Sequence, residues 1–230
     1  MEHSLKISTY LNEGLEHSGF NLSEDKISQL VEYFGMVLST TKYLNLISSK
    51  QELSVQVAVH LLDSIIPLKF INIPEKSQIL DFGSGGGFPG IPWSLILDKA
   101  TFTLVESTGK KARFLESVQE ALNLKNVKVI NAFLEPGKNH ERRTYDYITA
   151  RAVSDLEKLA DIIGPRLKPN GLFIAFKGPR AGEEHKSAGK ALVRNKLTLI
   201  NQFNFTLPIV DLPRCLLVLA KDGNVSRETS

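Results

Sequence analysis

The sequence predicts an α/β protein, with a mainly parallel sheet covered by helices, a late antiparallel strand and a helical extension at the N-terminus. Three observations predict it. From Gln78 onward, short apolar runs of strand length alternate with helical segments, the pattern of successive βαβ units. The first run leads into DFGSGGGFPG, residues 81–90, with five glycines in ten positions. Near the C-terminus two strand-like runs follow one another with no room for a long helix between them, which implies an antiparallel addition at the sheet edge.

In 22–38, Ile27, Leu30, Val31, Phe34, Val37 and Leu38 recur at helical spacing behind the capping candidate Ser23 and the acids Glu24 and Asp25, so this segment is an amphipathic helix. TTKYLNLISSK interrupts the pattern, and a second helix over about 51–67 carries Val55, Val59, Leu62 and Ile66 on one side and ends near Pro67. The strands are QILDFG, TFTLVES, VKVINAF, YDYITAR and GLFIAFKG, with helices between them at about 90–97, 108–121 and 154–165. A further helix over 183–196 precedes the runs LTLINQFNFTL and CLLVLA. The resulting organisation is an N-terminal helical extension over 1–70, packed on an α/β core over 71–221, and a flexible tail over 222–230.

Composition narrows the function classes. The 28 Lys and Arg against 25 Asp and Glu leave a net charge of +3, which permits a nucleic-acid partner without demanding one. Cys215 is the only cysteine, so there is no internal disulfide and no all-cysteine zinc site, and a reducing compartment is expected. The N-terminal MEHSLKISTYLNEGLE lacks the pattern of a secretory signal, and no window approaches the ~20 apolar residues of a membrane span. A cytoplasmic monomer without a metal and without a membrane partner is the expectation.

The glycine turn raises the question of its ligand. In an open α/β sheet, ligands bind beyond the carboxyl ends of the strands where strand order reverses, and DFGSGGGFPG follows the first strand. Gly83, Gly85 and Gly87 allow tight turns and a close approach to backbone, and Gly90 suits helix packing on the sheet. No Lys-Ser or Lys-Thr pair closes the loop, so it is not a Walker cradle. A dinucleotide pattern can be forced onto Gly85, Gly87 and Gly90, but the helix after it opens FPGIPW, and its two prolines remove N–H groups that a pyrophosphate would use. A ligand without phosphate fits better, and S-adenosylmethionine meets that description. Glu106, about 20 residues beyond the loop at the end of the second strand, is placed to accept both ribose hydroxyls. Asp81 lies beneath the loop, to hold its N–H groups or a ligand ammonium, and Glu135 follows the third strand at the same sheet edge.

At this point the chain resembles a known family, the bacterial small-subunit ribosomal RNA guanine-N7 methyltransferases, also called glucose-inhibited division protein B. The resemblance runs from about Leu30 to Lys221, and DFGSGGGFPGIP is its most specific signature. HLLDS at 60–64, ES-x-x-KK-x-x-FL at 106–115, TARAV at 149–153, FKG at 176–178 and PR at 213–214 match further family segments in order. The resemblance implies a class I S-adenosylmethionine-dependent methyltransferase fold with a seven-stranded sheet. It implies as acceptor N7 of a guanine in the 530 loop of 16S ribosomal RNA, in the 30S subunit or a precursor particle. The donor site it implies comprises Asp81, Gly83, Ser84, Gly85, Gly87 and Phe88, then Glu106 and Ser107, and then Phe133, Leu134 and Glu135 after the third strand. Arg151, His60 and Asp63 fall on positions beside the active cleft, and Lys110, Arg151, Lys177, Arg180 and Arg214 on the side facing RNA. The chain departs from the family pattern at Phe133 and Val59, where the family carries Arg, and at Thr40-Thr41, where it carries Trp-Asn.

The chemistry implied is undemanding of a base. N7 of guanine has an in-plane lone pair and needs no deprotonation, so the enzyme has chiefly to orient the base for in-line attack and to supply fixed charge around it. The Arg151 guanidinium suits guanine O6 or a flanking phosphate, and Asp63, three residues after His60, can orient it from the same helical face. Phosphate contacts are expected from Lys110, Lys111 and Arg113, from Arg142 and Arg143, and from Lys177, Arg180, Lys186, Lys190 and Arg194, the last set around the glycine-bearing segment GPRAGEEHKSAG, which suits a lid. Cys215, in an apolar strand, is inert core. The alternatives are a methyltransferase acting on another RNA site, a small molecule or a protein, an RNA-binding module without transfer activity, and a dinucleotide oxidoreductase.

Overall fold

The computed structural model describes residues 2–136 and 144–223. Its helices are α1 (Glu2–His17), α2 (Glu24–Leu44), α3 (Leu53–Gln56), α4 (Asp63–Ile65), α5 (Gly90–Ile96), α6 (Gly109–Ala121), α7 (Leu156–Ile163), α8 (Ala181–Ser187) and α9 (Gly189–Arg194). The strands are β1 (Gln78–Phe82), β2 (Thr101–Glu106), β3 (Val127–Asn131), β4 (Tyr145–Arg151), β5 (Leu167–Lys177), β6 (Leu197–Leu207) and β7 (Leu212–Lys221).

The seven strands form one sheet in the order β3-β2-β1-β4-β5-β7-β6. β1 to β5 pair in parallel, and β7 is antiparallel to both β5 and β6. The antiparallel strand is therefore inside the sheet, and β6 forms the edge. Burial explains the placement: Cys215 to Leu219 are buried without a break, whereas β6 exposes Thr198 and Ile200 up to a register shift between Leu199 and Asn201, and Gln202, Asn204 and Thr206 after it, as suits a strand at the sheet edge. Strand order reverses between β1 and β4, because β2 and β3 lie on one side of β1 and the remaining strands on the other. The glycine turn after β1 thus sits at the topological switch point.

Each face of the sheet has its own core. Leu80, Phe82, Val105, Ile148 and Phe173 pack with α7, α8 and α9. The alternate residues Ile79, Phe102, Leu104 and Ile174 pack with Trp93 of α5, Leu115 of α6 and the N-terminal helices. Residues 1–70 and the core consequently share one apolar cluster, to which α2 contributes Leu30, Phe34 and Val37.

Three elements differ from the sequence expectation. α1 buries Ile7, Leu11, Gly14 and Leu15, a helical spacing diluted by the polar residues between them. At Gly14 a Cβ would overlap the buried Leu62 side chain, so a larger residue there would force Leu62 to move for α1 to lie against 57–62. The expected helix over 51–67 changes geometry along its length: between α3 and α4, Val57–Leu62 forms a π-helical turn, and Ile66–Lys69 closes as a 3-10 turn with Pro67 in its first positions. The helix expected over 183–196 is broken at Ala188 into α8 and α9, and the segment read as a flexible lid is helical over most of its length. Arg142, Arg143 and the tail beyond Gly223 lie outside the described residues.

Candidate active site

The site is built on the carboxyl ends of β1, β2 and β4. Gly83, Gly85 and Gly87 have φ of 71°, 57° and 101°, conformations that side chains resist. Space adds a second requirement at Gly87, where a Cβ would meet Ile91 Cγ1 at 2.7 Å and the Tyr33 hydroxyl at 2.9 Å. Two buried carboxylates fasten the turn. Asp81 accepts from the Gly90 N–H at 3.1 Å and from the Thr149 hydroxyl at 2.9 Å, while the Ser84 hydroxyl donates to its carbonyl at 3.0 Å. Glu106 accepts from the Gly85 N–H and the Thr108 N–H, both at 2.8 Å. Burial pushes Asp81 up to about 6, against the hydrogen bonds from Thr149 and Gly90 and the charge of Arg151.

Beside this turn Arg151, at the end of β4, meets the π-helical segment. Its Nη2 donates to His60 Nδ1 at 2.9 Å and its Nη1 to Asp63 Oδ2 at 3.3 Å. Arg214 Nε donates to the other oxygen, Oδ1, at 3.0 Å. Asp63 is buried between the two guanidinium groups, with side-chain exposures of 7%, 15% and 21% for Asp63, Arg151 and Arg214. Burial and the two cations depress His60 to about 3, and an imidazole whose Nδ1 accepts from a guanidinium is neutral and carries its proton on Nε2. The Phe88 ring covers the cluster, 5.1 Å from the His60 ring and 5.4 Å from the Arg151 guanidinium carbon, a cation–π distance. Asp63 does not orient His60 directly, because Arg151 bridges them.

The cluster forms the floor of a cleft of about 1140 Å³, lined also by Ser48, Gln51, Val59, Arg180 and Phe205. Val153 joins cleft to turn, since it lines the cleft and a Cβ on Gly83 would lie 2.6 Å from its Cγ2. Lys177 lines the same cleft but is engaged, donating to Glu184 of α8 at 2.6 Å and to the Ser154 carbonyl at 3.1 Å. Arg180 and Lys110 are exposed. Arg194 forms a bidentate pair with Asp161 at 2.8 Å. After β3, Leu134 is buried, Phe133 is 70% exposed and Glu135 is half-buried. Ser107 is exposed, and its carbonyl accepts from Asn131. Cys215 is buried in β7. Among the described residues, no cluster of His, Cys, Asp and Glu could hold a metal ion, and no helix is long and apolar enough to cross a membrane.

Two contributors escape sequence reasoning. Thr149 lies within TARAV, yet only the pairing of β4 with β1, which places it beside Asp81, shows what its hydroxyl does. Tyr33, fully buried on α2, donates to the Gly86 carbonyl at 2.7 Å. Its place among Leu30, Val31 and Phe34 marks it only as core.

A seven-stranded sheet with this order, and a glycine turn closed by two carboxylates at its switch point, define the class as an S-adenosylmethionine-dependent methyltransferase. Solved structures share the fold: a methyltransferase from Pyrococcus furiosus superposes with a TM-score of 0.58 at 12% identity, covering 87% of this chain and 100% of that one. A SAM-dependent methyltransferase from Aquifex aeolicus gives 0.51 at 20% identity, covering 70% and 89%. The chain belongs to the rRNA small subunit methyltransferase G family, whose model matches residues 26–205. Relatives named ribosomal RNA small subunit methyltransferase G include those of Bacillus subtilis, 33% identical over 94% of this chain and 90% of the relative, and Alkaliphilus metalliredigens, 33% identical over 92% and 89%.

The residues present suit the donor that this family implies. The turn offers backbone at positive φ beside the buried carboxylates Asp81 and Glu106. Each oxygen of Glu106 holds one amide and retains a second acceptor direction. The prolines of FPGIPW leave little for a pyrophosphate.

Proposed function

We propose that this chain methylates N7 of a guanine in the 530 loop of 16S ribosomal RNA, presented in the 30S subunit or a precursor particle. The single observation that carries the choice of acceptor atom is the state of His60. It is the imidazole on the cleft floor, its Nδ1 lone pair is taken by Arg151, and it is depressed to about 3. It cannot remove a proton from an amine or hydroxyl near neutral pH at that nitrogen, and N7 of guanine asks for no such removal. The ribosomal acceptor is supported by the names of the relatives and by the motif resemblance of 106–115 and 149–153.

When bound, S-adenosylmethionine supplies an electrophilic methyl group on a sulfonium. The residues of the chain do the rest. Glu106 accepts from the donor's ribose hydroxyls while holding Gly85, and Asp81 keeps the turn in the shape that receives the amino-acid end. Leu134, Glu135 and the exposed Phe133 border the adenine, and Ser107 and Phe88 complete the donor side. Arg151 and Arg214, both anchored on Asp63, present positive charge to O6 of the base or to a neighbouring phosphate. Phe88 and His60 exclude water from the floor. Arg180, Lys110 and the Lys177 region grip phosphates along the rim, which requires the target base to be looped out of its stack.

The test incubates the enzyme and donor with 30S particles and, separately, with free 16S RNA, and maps N7-methylguanine by chemical cleavage at the modified base. Cleavage in the 530 loop is the expected result. Methyl incorporation at any other atom or helix rejects the assignment. Arg151→Ala should keep donor affinity and lose most transfer, and Glu106→Ala should weaken donor binding first.

A further inference from the structure

Hydrogen bonds, rather than steric limits, set the shape of the glycine turn, because Gly85 and Gly87 leave the peptides around them free to rotate. Three of those peptides are pinned, the last of them, Gly87–Phe88, by the Phe88 N–H on the Ser84 carbonyl at 3.2 Å and the Ile91 N–H on the Gly87 carbonyl at 2.8 Å. The Ser84–Gly85 peptide is held by Glu106, which accepts from the Gly85 N–H at 2.8 Å. The Gly86–Gly87 peptide is held at both ends: its N–H donates to the Ser84 carbonyl at 2.7 Å, and its carbonyl, that of Gly86, accepts from the Tyr33 hydroxyl at 2.7 Å. Between them, neither the N–H nor the carbonyl of the Gly85–Gly86 peptide has a hydrogen-bond partner among the described residues. Among the described residues it is the peptide of the turn with both of its groups left for a ligand.

Tyr33 comes from α2, outside the α/β core. Its ring is fully buried, 5.3 Å from that of Phe88, and burial raises its hydroxyl well above the ordinary tyrosine value, so it remains a donor at any working pH. We infer that Tyr33 is a positioning residue of the donor site: its hydroxyl fixes the orientation of the Gly86–Gly87 peptide and thereby aims the free Gly85–Gly86 peptide at S-adenosylmethionine. The N-terminal extension is then a working part of donor binding as well as a cover for the sheet. This rests on the donor occupying the glycine turn.

Tyr33→Phe removes the hydroxyl and keeps the ring. Donor dissociation constants measured by calorimetry, beside those of Glu106→Gln and the unchanged protein, test the inference, with urea midpoints recorded for all three. Loss of one buried hydrogen bond that acts on the site should weaken donor binding about tenfold, and amide exchange at Gly87 should accelerate. A purely structural tyrosine would instead lower the urea midpoint and leave donor affinity within twofold. That outcome, with Glu106→Gln weakened, overturns the role of Tyr33 and spares the donor site. If both variants bind donor normally, the placement of the donor in this turn fails and the inference with it.

Discussion

Asp63→Asn is the sharpest perturbation of the cleft floor. The side chain keeps its shape and loses its charge, leaving Arg151 and Arg214 without the carboxylate oxygen that each had at 3.3 and 3.0 Å. At an effective dielectric of about 20 each contact is worth roughly 5 kcal/mol of Coulomb energy, most of which offsets the burial of the charges. The measurable quantity is the cost of removing one partner from a buried network, about 3–5 kcal/mol. All three side chains are less than a third exposed, so solvent screening reduces this little, and the amide oxygen that remains places the expectation near the lower end, at about 3 kcal/mol. For a domain of this size that lowers the melting temperature by about 6–12 °C. Urea denaturation monitored by circular dichroism measures it directly. The double variant Asp63→Asn, Arg214→Met should regain part of the loss, because one unpaired cation is gone. A single-variant cost below about 1 kcal/mol, or no recovery in the double variant, refutes the view that Asp63 holds two cations in place.

Further outcomes are equally specific. His60 is depressed to about 3 from an ordinary 6.5, so the unfolded chain binds its proton first, and its contribution is full above pH 6.5 and lost at about 1.4 kcal/mol per unit as pH falls toward 3. Asp81 is raised to about 6 from 3.8, so its protonation favours the fold, with stability gained as pH falls from 6 to 3.8 and lost again on the way up. The two slopes oppose one another between about pH 4 and 6, and the difference in unfolding free energy between the unchanged protein and His60→Asn should therefore shrink steadily on acidification; a pH-independent difference contradicts a neutral His60. Gly90→Ala places a Cβ 2.6 Å from Asp81 Oδ2, and should reduce donor affinity at least tenfold by calorimetry. Glu184→Gln weakens the tie between Lys177 and α8; donor affinity should be unchanged while the Michaelis constant for 30S particles shifts by several-fold.

Much of the fold was legible because its signals are local. The runs from QILDFG to GLFIAFKG became β1 to β5, since branched and aromatic residues between helical periods leave little choice of element. The order of the last two strands was not legible, as a hairpin reads alike whichever strand lies inside; only the unbroken burial of Cys215 to Leu219 decides it. In the site, Asp81 and Glu106 were readable from their offsets to the glycines. The link from Arg151 to both His60 and Asp63 was not, because it joins β4 to residues about ninety positions earlier and depends on a helix whose turn is not regular. Tyr33 and Thr149 were invisible for the same reason: each acts through a contact between segments distant in the chain.

The π-helical turn at Val57–Leu62 has a consequence for chain length. It accommodates one residue more than a regular coil would, and so brings both His60 and Asp63 within reach of one guanidinium. A deletion inside the wide turn would be absorbed as the coil regularised, because that turn already holds the surplus residue, whereas a further insertion would turn the far end by about 100°, carrying the carboxylate away from Arg151 and Arg214 although no charged group had been removed. The length of that stretch is thus bounded from above, independent of the identities of its residues.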